Sequence, residues 1–345
     1  MIKPATAGAS KRRLLATLAT LAGIALGASA VAAESTFTIE PEAPDVVGEL
    51  GLTTAVYEDT ISDLAKAFDQ GFREMRLANP KVDAWLPGAG TEVLVPSQYV
   101  LPEGPRDGII VNVPEMRLYY FPPAQGKAPA KVMTFPISIG REQWVTPHGM
   151  TTVVGKVKDP VWYPPESIRK EHAQEGDPLP KVVPAGPNNP LGTHALRLGL
   201  NGYLIHGTDK PFGIGMRVTH GCIRMYPADI VTMFNITPVG TRVHLVNQPY
   251  KVGLAHGNIY LEVHPPLEEE QAKNAEAQYS LVVQTILDRV KAYDAELIWP
   301  SVKRAVEEQS GVPQVVGTVR KKTTTAKALP APAAATLPKV ARNED

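Results

Sequence analysis

Residues 203–208 read Tyr-Leu-Ile-His-Gly-Thr, and residues 219–224 read Thr-His-Gly-Cys-Ile-Arg. Two histidines, His206 and His220, thus flank Cys222, which is the single cysteine of the chain. The thiolate is the nucleophilic form of cysteine, and a thiol with the usual pKa of about 8.5 holds its proton at neutral pH. A nearby imidazole can accept that proton. The two segments therefore predict a nucleophilic cysteine with a histidine base.

Local spacing does not choose between the two histidines. His220 lies two residues before Cys222, so an extended segment would turn both side chains to the same face. His206 ends an apolar run and reaches the sulfur only through the fold. Gly221 is placed where the backbone needs a positive φ or a close approach to a substrate, and the amides of Gly221 and Cys222 are candidates for binding an oxyanion.

The region around these segments, residues 107–247, is predicted to be mainly β. Short alternating or β-branched runs are separated by Gly and Pro. The candidate strands are residues 109–113, 117–121, 132–139, 151–158, 195–198, 203–206 and 242–246. One helix is predicted at residues 227–234, with proline in its first turn. Residues 160–190 hold eight prolines and are predicted to form a long, stiff surface excursion, typical of a functional wall or lid.

A small module precedes this domain. Residues 54–57 predict a strand, Asp59 and Thr60 open a helix, a second helix ends at Asn79-Pro80, and residues 92–95 predict a closing strand. This βααβ pattern at residues 54–97 resembles a LysM module. The resemblance implies binding of glycans that contain N-acetylglucosamine; a purely structural spacer is the other interpretation.

Both ends of the chain differ from the middle. Residues 1–33 combine a basic stretch, an apolar run and small residues before Glu34, which predicts a cleaved secretory signal rather than a spanning helix. They hold four basic and no acidic residues, so the remainder has 31 basic and 35 acidic residues. That balance argues against a nucleic-acid partner. Residues 248–312 predict a short strand and one or two amphipathic helices, and residues 313–345 a disordered tail.

The segments quoted first resemble the signature of YkuD-type L,D-transpeptidases: a histidine, a spacer, and then Ser or Thr-His-Gly-Cys. Thr146-Pro147-His148-Gly149 and Asn189-Pro190-Leu191-Gly192 are similar to two further motifs of that family. The layout of the whole chain most resembles the envelope group of Gram-negative bacteria that includes lipoprotein-anchoring enzymes. The implied fold is a β-sandwich catalytic domain with few helices, preceded by the module and followed by a helical extension.

The resemblance implies roles for individual residues. Cys222 becomes the nucleophile and His206 the base, Gly207 orients the base through its carbonyl, and His220 and Gly221 shape the oxyanion and acyl pocket. The expected substrate contacts are Arg224, Thr219, Tyr203 and Arg217. Arg224 departs from the broadest family pattern, which has Asn at that position.

The resemblance also implies the reaction. The cysteine takes an acyl group from diaminopimelate in a peptidoglycan tetrapeptide stem, releases D-alanine, and passes the acyl group to an amine. The amine belongs to a neighbouring stem or to the terminal lysine of an outer-membrane lipoprotein. No metal or cofactor is needed, and the compartment is the periplasm.

Two other functions would use parts of the same sequence pattern. A zinc hydrolase would use His206, His220 and Cys222 as ligands, since imidazole and thiolate suit that metal, but the sequence has no His-Glu-x-x-His motif. A non-catalytic wall-binding protein would rely on the module alone. The six remaining histidines are expected to be structural or exposed, namely His148, His172, His194, His244, His256 and His264.

Overall fold

The computed structural model describes residues 36–322 except 125, 127 and 271–274. The predicted signal at residues 1–33 and the part of the tail after residue 322 lie outside the described residues. Within the described part of the chain, no helix has both the length and the apolar character needed to cross a membrane.

Strands dominate the structure, and the helices are few. The strands are β1 (Thr36–Thr38), β2 (Val46–Gly48), β3 (Gly51–Thr54), β4 (Glu92–Val95), β5 (Gln98–Val100), β6 (Gly108–Asn112), β7 (Arg117–Phe121), β8 (Lys131–Gly140), β9 (Gly149–Lys158), β10 (His194–Leu198), β11 (Leu204–His206), β12 (Arg217–Thr219), β13 (Ile223–Met225), β14 (Arg242–Val246), β15 (Tyr250–Ala255), β16 (Asn258–Val263), β17 (Tyr293–Leu297) and β18 (Gln314–Lys321). The α-helices are α1 (Ile61–Ala67), α2 (Phe72–Ala78), α3 (Glu166–Gln174), α4 (Pro227–Ile236), α5 (Ala275–Val290) and α6 (Trp299–Glu308).

The central domain is one sheet that closes on itself. Its strands follow the order β1-β8-β13-β11-β10-β9-β14-β6-β7, and β7 pairs again with β8. The long strands β8 and β9 each change partner along their length: β8 pairs with β7 up to Pro136 and with β13 from Ile137 onward. β9 pairs with β14 up to Thr152 and with β10 from Val153. The two layers of the expected sandwich are therefore joined along both sides.

Side chains that alternate along these strands point inward and fill the space between the layers. Ile109 and Val111 of β6, Ile205 of β11 and Ile223 of β13 are buried in one continuous core. Burying each such side chain contributes roughly 1.5–3 kcal/mol. Helix α4 covers this core with Ile230 and Met233. The parallel strands β11 and β13 lie in the middle of the sheet, so the segments around them are held by neighbours on both sides.

The N-terminal module has the order β3-α1-α2-β4, and β3 pairs antiparallel with β4. Its first strand ends at Thr54, so the expected strand at residues 54–57 was wrong. The Asp59 carboxylate accepts a hydrogen bond from the Val56 amide at 2.8 Å and turns the chain, overriding the β propensity of Val56 and Tyr57. Thr60 then caps α1 in a capping box with Asp63.

The C-terminal extension is a mixed sheet and helix unit, which corrects the helical prediction. Strands β15-β16-β18-β17 form a four-stranded sheet, and α5 and α6 bury Val282, Ile286 and Val302 in its core. β17 separates the two helices, although its residues continue the helical spacing of apolar positions. Sheet pairing with β18 satisfies its backbone instead.

Part of the expected tail is also ordered. Residues 314–321 form β18, which pairs with β16 on one side and β17 on the other. The prevalence of Lys, Thr, Ala and Pro over residues 314–345 predicted disorder, but Val316 is fully buried. Its burial in a central strand outweighs the local composition.

A buried charge network joins the C-terminal unit to the central domain. The Lys251 ammonium lies 2.8 Å from Glu115 and 2.7 Å from Glu262. Glu262 also accepts from the Val100 amide at 2.6 Å and contacts His264 at 2.6 Å. All four charged residues are almost fully buried, so removing one partner would leave an uncompensated charge in the interior. The network therefore fixes how the two parts meet.

Candidate active site

The register of two short strands brings the predicted base and nucleophile together. β11 pairs parallel with β13, with Ile205 opposite Ile223 and His206 opposite Arg224. Continuing that register sets Cys222 beside Leu204. Since side chains alternate along a strand, Cys222, Arg224 and His206 lie on the same face. The strand spacing gives a Cα separation of roughly 8 Å between Cys222 and His206, which their side chains can bridge.

His206 is held in the tautomer that a base requires. Its Nδ1 lies 2.7 Å from the carbonyl oxygen of Gly207. A carbonyl oxygen only accepts, so Nδ1 carries the proton and Nε2 keeps its lone pair. Burial and then the Arg224 charge lower the pKa of His206 to about 3. The imidazole is therefore neutral at physiological pH, with its Nε2 lone pair unprotonated.

Cys222 is half-buried, and its sulfur faces backbone groups. Its Sγ donates to the Gly202 carbonyl at 3.6 Å. Burial raises the pKa of the thiol, while the Leu204 backbone N–H and the Arg224 guanidinium oppose that increase. The resting site thus pairs a neutral thiol with a neutral imidazole. Such a pair calls for proton transfer to the base as the sulfur attacks.

Arg224 adds an unsatisfied positive group to this site. Its Nε is buried and finds no hydrogen-bond partner within the described part of the chain. Burial lowers the pKa of Arg224, and the charge of Asp209 opposes that decrease. A guanidinium whose Nε is buried and unpartnered is a natural partner for a carboxylate, which it can bind through paired hydrogen bonds.

The turn before the nucleophile is built by backbone contacts. Gly221 has φ +101°, and a Cβ there would lie 3.0 Å from the Tyr203 ring, so glycine is required. The Thr146 hydroxyl donates to the Gly221 carbonyl at 2.9 Å and accepts from the Gly140 amide at 3.0 Å. The Thr-Pro-x-Gly motif therefore fixes the turn against the end of β8.

Two expectations for this turn need correction. The Gly221 amide donates to the Thr219 hydroxyl at 3.1 Å, so it is already occupied and does not point freely at an oxyanion. Thr219 is buried, and its hydroxyl donates to the Cys222 carbonyl at 2.6 Å. Thr219 was expected to contact substrate, but it shapes the nucleophile's own turn. A polar side chain this close in sequence tends to bond its local backbone.

The Asn-Pro-x-Gly motif supports the base from the other side. The buried Asn189 amide donates to the carbonyls of Pro160 and Pro184 at 2.9 and 3.0 Å, which closes the neck of the proline-rich excursion. Gly192 has φ +67°, and a Cβ there would lie 2.9 Å from the carbonyl carbon of Gly207. Gly192 thus packs against Gly207, whose carbonyl orients His206.

His220 is turned away from the position expected from local spacing. The positive φ of Gly221 breaks the extended strand, so His220 and Cys222 do not share a strand face. The His220 Nε2 lies 2.7 Å from the Arg141 guanidinium and 3.1 Å from the Glu171 carboxylate, and Trp144 packs edge-on against the ring. Burial and then the Arg141 charge lower the pKa of His220, and the hydrogen bond with Glu171 opposes that decrease.

The same contacts reveal an element that the sequence interpretation missed. The proline-rich excursion contains helix α3, and Glu171 of this helix pairs with Arg141. Helix α3 therefore stands beside the nucleophile's turn as a wall. The helix follows Pro164-Pro165 and carries an i,i+4 pair between Glu166 and Lys170. Those two local features are the signal that would have predicted it.

The two remaining predicted substrate contacts, Tyr203 and Arg217, lie in different surroundings. Tyr203 is half-buried and contacts the Gly221 turn, so its ring lines the site next to the thiol. Arg217 pairs instead with Glu269 and Glu268 at 2.9 and 3.0 Å and donates to the Gly140 carbonyl. The expected substrate role of Arg217 is replaced by an ion-pair role, because these carboxylates already occupy its donors.

The zinc ligand set is not assembled. The Nε2 of His220 is in contact with a guanidinium, which repels a cation. In the residues that the structure describes, the group with metal-ligand proximity is Glu115, Glu262 and His264. Lys251 already supplies the positive charge there.

Residues 106–245 match the YkuD family model, described as the L,D-transpeptidase catalytic domain. A probable L,D-transpeptidase ErfK/SrfK of Salmonella typhimurium is 40% identical over 284 residues, covering 80% of this chain and 89% of the relative. The probable L,D-transpeptidase YcfS of Escherichia coli is 40% identical, covering 74% and 79%. The probable L,D-transpeptidase YbiS of Escherichia coli is 36% identical, covering 87% and 97%.

These matches extend beyond the catalytic domain into the flanking units, and they agree with the strand-rich fold that the sequence predicted. The chain therefore belongs to the YkuD-type L,D-transpeptidases, and its activity is peptidoglycan L,D-transpeptidation.

Proposed function

We propose that Cys222 forms a thioester with a peptidoglycan tetrapeptide stem, with His206 as the base. The observation that carries this proposal is the register of β11 and β13, which places His206 opposite Arg224, two residues after Cys222 in the chain, with the His206 Nδ1 directed at the Gly207 carbonyl. A neutral base beside a neutral thiol suits a reaction in which the proton moves only as the sulfur attacks.

The steps follow from that arrangement. The thiol proton passes to His206 Nε2 while Sγ bonds to the carbonyl carbon at the L-centre of diaminopimelate. The tetrahedral intermediate collapses, the bond to D-alanine breaks, and the imidazolium returns its proton to the leaving amine. An acceptor amine then attacks the thioester, loses a proton to His206, and regenerates the thiol. Gly207 keeps the ring in the productive tautomer throughout.

The acceptor is a primary amine, either the side chain of diaminopimelate on a neighbouring stem or the terminal lysine of an outer-membrane lipoprotein. The functional test incubates the purified chain with a tetrapeptide stem and follows the intact mass of the protein and the release of D-alanine. We expect an adduct of the tripeptide acyl group on Cys222 that forms equally with and without a metal chelator. Adding either amine then identifies the acceptor by the product mass. Release of D-alanine that stops with the chelator would contradict the cysteine mechanism.

Arg224 is proposed to bind a carboxylate of the donor stem. Replacing Arg224 by Gln, which keeps length and polarity but removes the charge, is expected to raise KM for the donor about tenfold, corresponding to the loss of one charge-assisted contact. Steady-state kinetics with soluble tetrapeptide check this. Arg304, on helix α6 of the C-terminal unit, is exposed, so Arg304→Gln is the matched control and should leave KM unchanged. Equal KM values for Arg224→Gln and the unmodified chain would refute the contact.

The N-terminal module is proposed to be a LysM module that binds wall glycan. Two of its loops carry exposed apolar side chains, including Tyr57 at 75% and Trp85 at 67% exposure. The Ile61 amide donates to the Ala84 carbonyl at 2.8 Å, which brings the two loops to one end of the module. Exposed aromatic rings close together mark a binding surface more than a solvated face.

Exchanging Trp85 for alanine is expected to weaken retention of the chain on purified peptidoglycan about tenfold, because the ring would stack against sugar faces. A sedimentation assay with insoluble wall measures this. Trp299 has 47% exposure in the C-terminal unit, so Trp299→Ala is the matched control. Equal retention of both variants and the unmodified chain would contradict glycan binding through these loops.

Export to the periplasm is proposed from the signal-like residues 1–33 and the location of the wall. N-terminal sequencing of the protein from a periplasmic extract would support it if the mature chain begins near Glu34. Recovery of the full-length chain in the cytoplasmic fraction would contradict it.

A further inference from the structure

The module is bonded directly to the loop between the base and the nucleophile. That loop, residues 207–216, connects β11 to β12, the strand that leads into the nucleophile's turn. The Phe72 amide of α2 donates to the Ile214 carbonyl at 3.0 Å, and the Arg73 amide donates to the Gly215 carbonyl at 3.3 Å. The first turn of a helix has free amides, and here the catalytic loop satisfies two of them.

The backbones approach so closely that neither side can carry a side chain. Gly215 has φ +83°, and a Cβ there would lie 2.4 Å from the Phe72 nitrogen and 2.5 Å from the Gly71 Cα. A Cβ on Gly71 would lie 3.0 Å from the Gly215 Cα. The two glycines therefore permit a close backbone contact between the module and the catalytic domain. A module attached only through a flexible linker would not need such a contact.

The segment that follows the nucleophile is held by the same part of the module. The Tyr226 hydroxyl donates to the Gln70 carbonyl at 3.1 Å. Asp229, at the start of α4, shares a hydrogen bond with Asp69. Tyr226 and Asp229 come shortly after Cys222 in the chain, so the turn at residues 69–71 contacts both flanks of the nucleophile.

A buried ion pair anchors this turn to the central sheet. Glu74 of α2 accepts from Arg117 of β7 at 2.6 and 2.8 Å, and both side chains are buried. Glu74 also accepts from the Gly71 amide at 2.6 Å. The anchor therefore fixes Gly71 itself against the sheet, and through Gly71 the catalytic loop.

We infer that the turn at residues 69–71 and the first turn of α2 form a positioning clamp for Cys222. The strands on either side of the nucleophile, β12 and β13, have only three residues each, so few of their own hydrogen bonds define where the sulfur lies. The clamp adds to the contacts that Thr146 and Thr219 make within the turn and holds the nucleophile from outside the catalytic domain. Gly71, Gly215 and Glu74 are positioning residues, since none of them lies on the strand face that carries the thiol and the base. This inference rests on Cys222 being the nucleophile, as proposed.

Gly215→Ala tests the clamp in the full chain, with Gly213→Ala as the matched control. A Cβ on Gly213 meets only Val218, at 3.8 Å, so that variant should behave like the unmodified chain. Gly215→Ala is expected to lower kcat for donor acylation about 100-fold with little change in KM, because a displacement of about 1 Å at the reacting atom costs that much. Hydrogen exchange at the Phe72 amide should become faster.

Different outcomes separate the inference from the proposed function. If Gly215→Ala exchanges faster at Phe72 but acylates within twofold of the unmodified chain, the clamp is refuted. If the unmodified chain forms no acyl-enzyme, the proposed function fails instead. Should Gly215→Ala fail to fold, Gly71→Ala replaces it, since alanine tolerates the φ of −83° found there. A loss of kcat at constant KM then supports the clamp, and unchanged kinetics refute it.

Discussion

Replacing Cys222 by alanine is expected to lower acyl transfer from a tetrapeptide stem by at least about 10⁴-fold. The sulfur forms the bond to the substrate, and the described site offers no second thiol or hydroxyl on the shared strand face. A coupled assay that detects released D-alanine measures the rate of acyl transfer. The mass adduct on the intact protein should disappear in the same variant.

The fold should survive this substitution. Cys222 is half-buried, and its sulfur bonds weakly to the Gly202 carbonyl and the Leu204 backbone N–H, so alanine leaves little void. We expect the thermal unfolding midpoint to stay within a few degrees. The catalytic role of Cys222 would be contradicted if the folded alanine variant released D-alanine at a rate near that of the unmodified chain.

Strand prediction in the central domain succeeded because burial and pattern agree there. The expected strand at residues 117–121 has the bounds of β7, and all five of its side chains are buried. The helix expected at residues 227–234 is α4, which begins at the proline that fits its first turn. In such segments local propensity and tertiary packing favour the same structure, so the sequence alone is sufficient.

The misses occur where long-range contacts outweigh local composition. Prolines hid α3, and the Lys, Thr, Ala and Pro content of the stretch 314–345 as a whole hid β18, which a central position in its sheet stabilises. The motif predicted that His206 and Cys222 work together, but it carried no information on Arg141 and Glu171, which come from two other parts of the chain. The occupied amide of Gly221 depends on a hydroxyl rotamer that spacing does not encode.

Replacing His206 by alanine is expected to lower kcat for acylation by about 10²- to 10⁴-fold, the usual contribution of a general base. His220→Ala is the matched control. It also removes an imidazole, two residues before the nucleophile. Unlike the ring of His206, this ring has its Nε2 in contact with Arg141. We expect kcat of His220→Ala to fall about tenfold or less, because this substitution removes a packing contact of the turn and leaves the base in place.

The pH profile separates the two roles further. The base must be neutral, and burial lowers the pKa of His206 to about 3. The fraction of neutral imidazole thus stays near one as pH falls from 8 to 5, and acylation should be flat over that range. An exposed histidine with a pKa of about 6.5 would instead halve the rate near pH 6.5 and reduce it about 30-fold by pH 5.

Without His206 the reaction depends on thiolate formed by solvent. Because burial raises the pKa of Cys222, the rate of His206→Ala should increase about tenfold per pH unit across pH 6–8, while the unmodified chain stays flat. Stopped-flow acylation of both proteins at each pH makes the comparison directly. A flat profile for His206→Ala, or a steep one for His220→Ala, would transfer the role of base to His220 and undo the assignment drawn from the strand register.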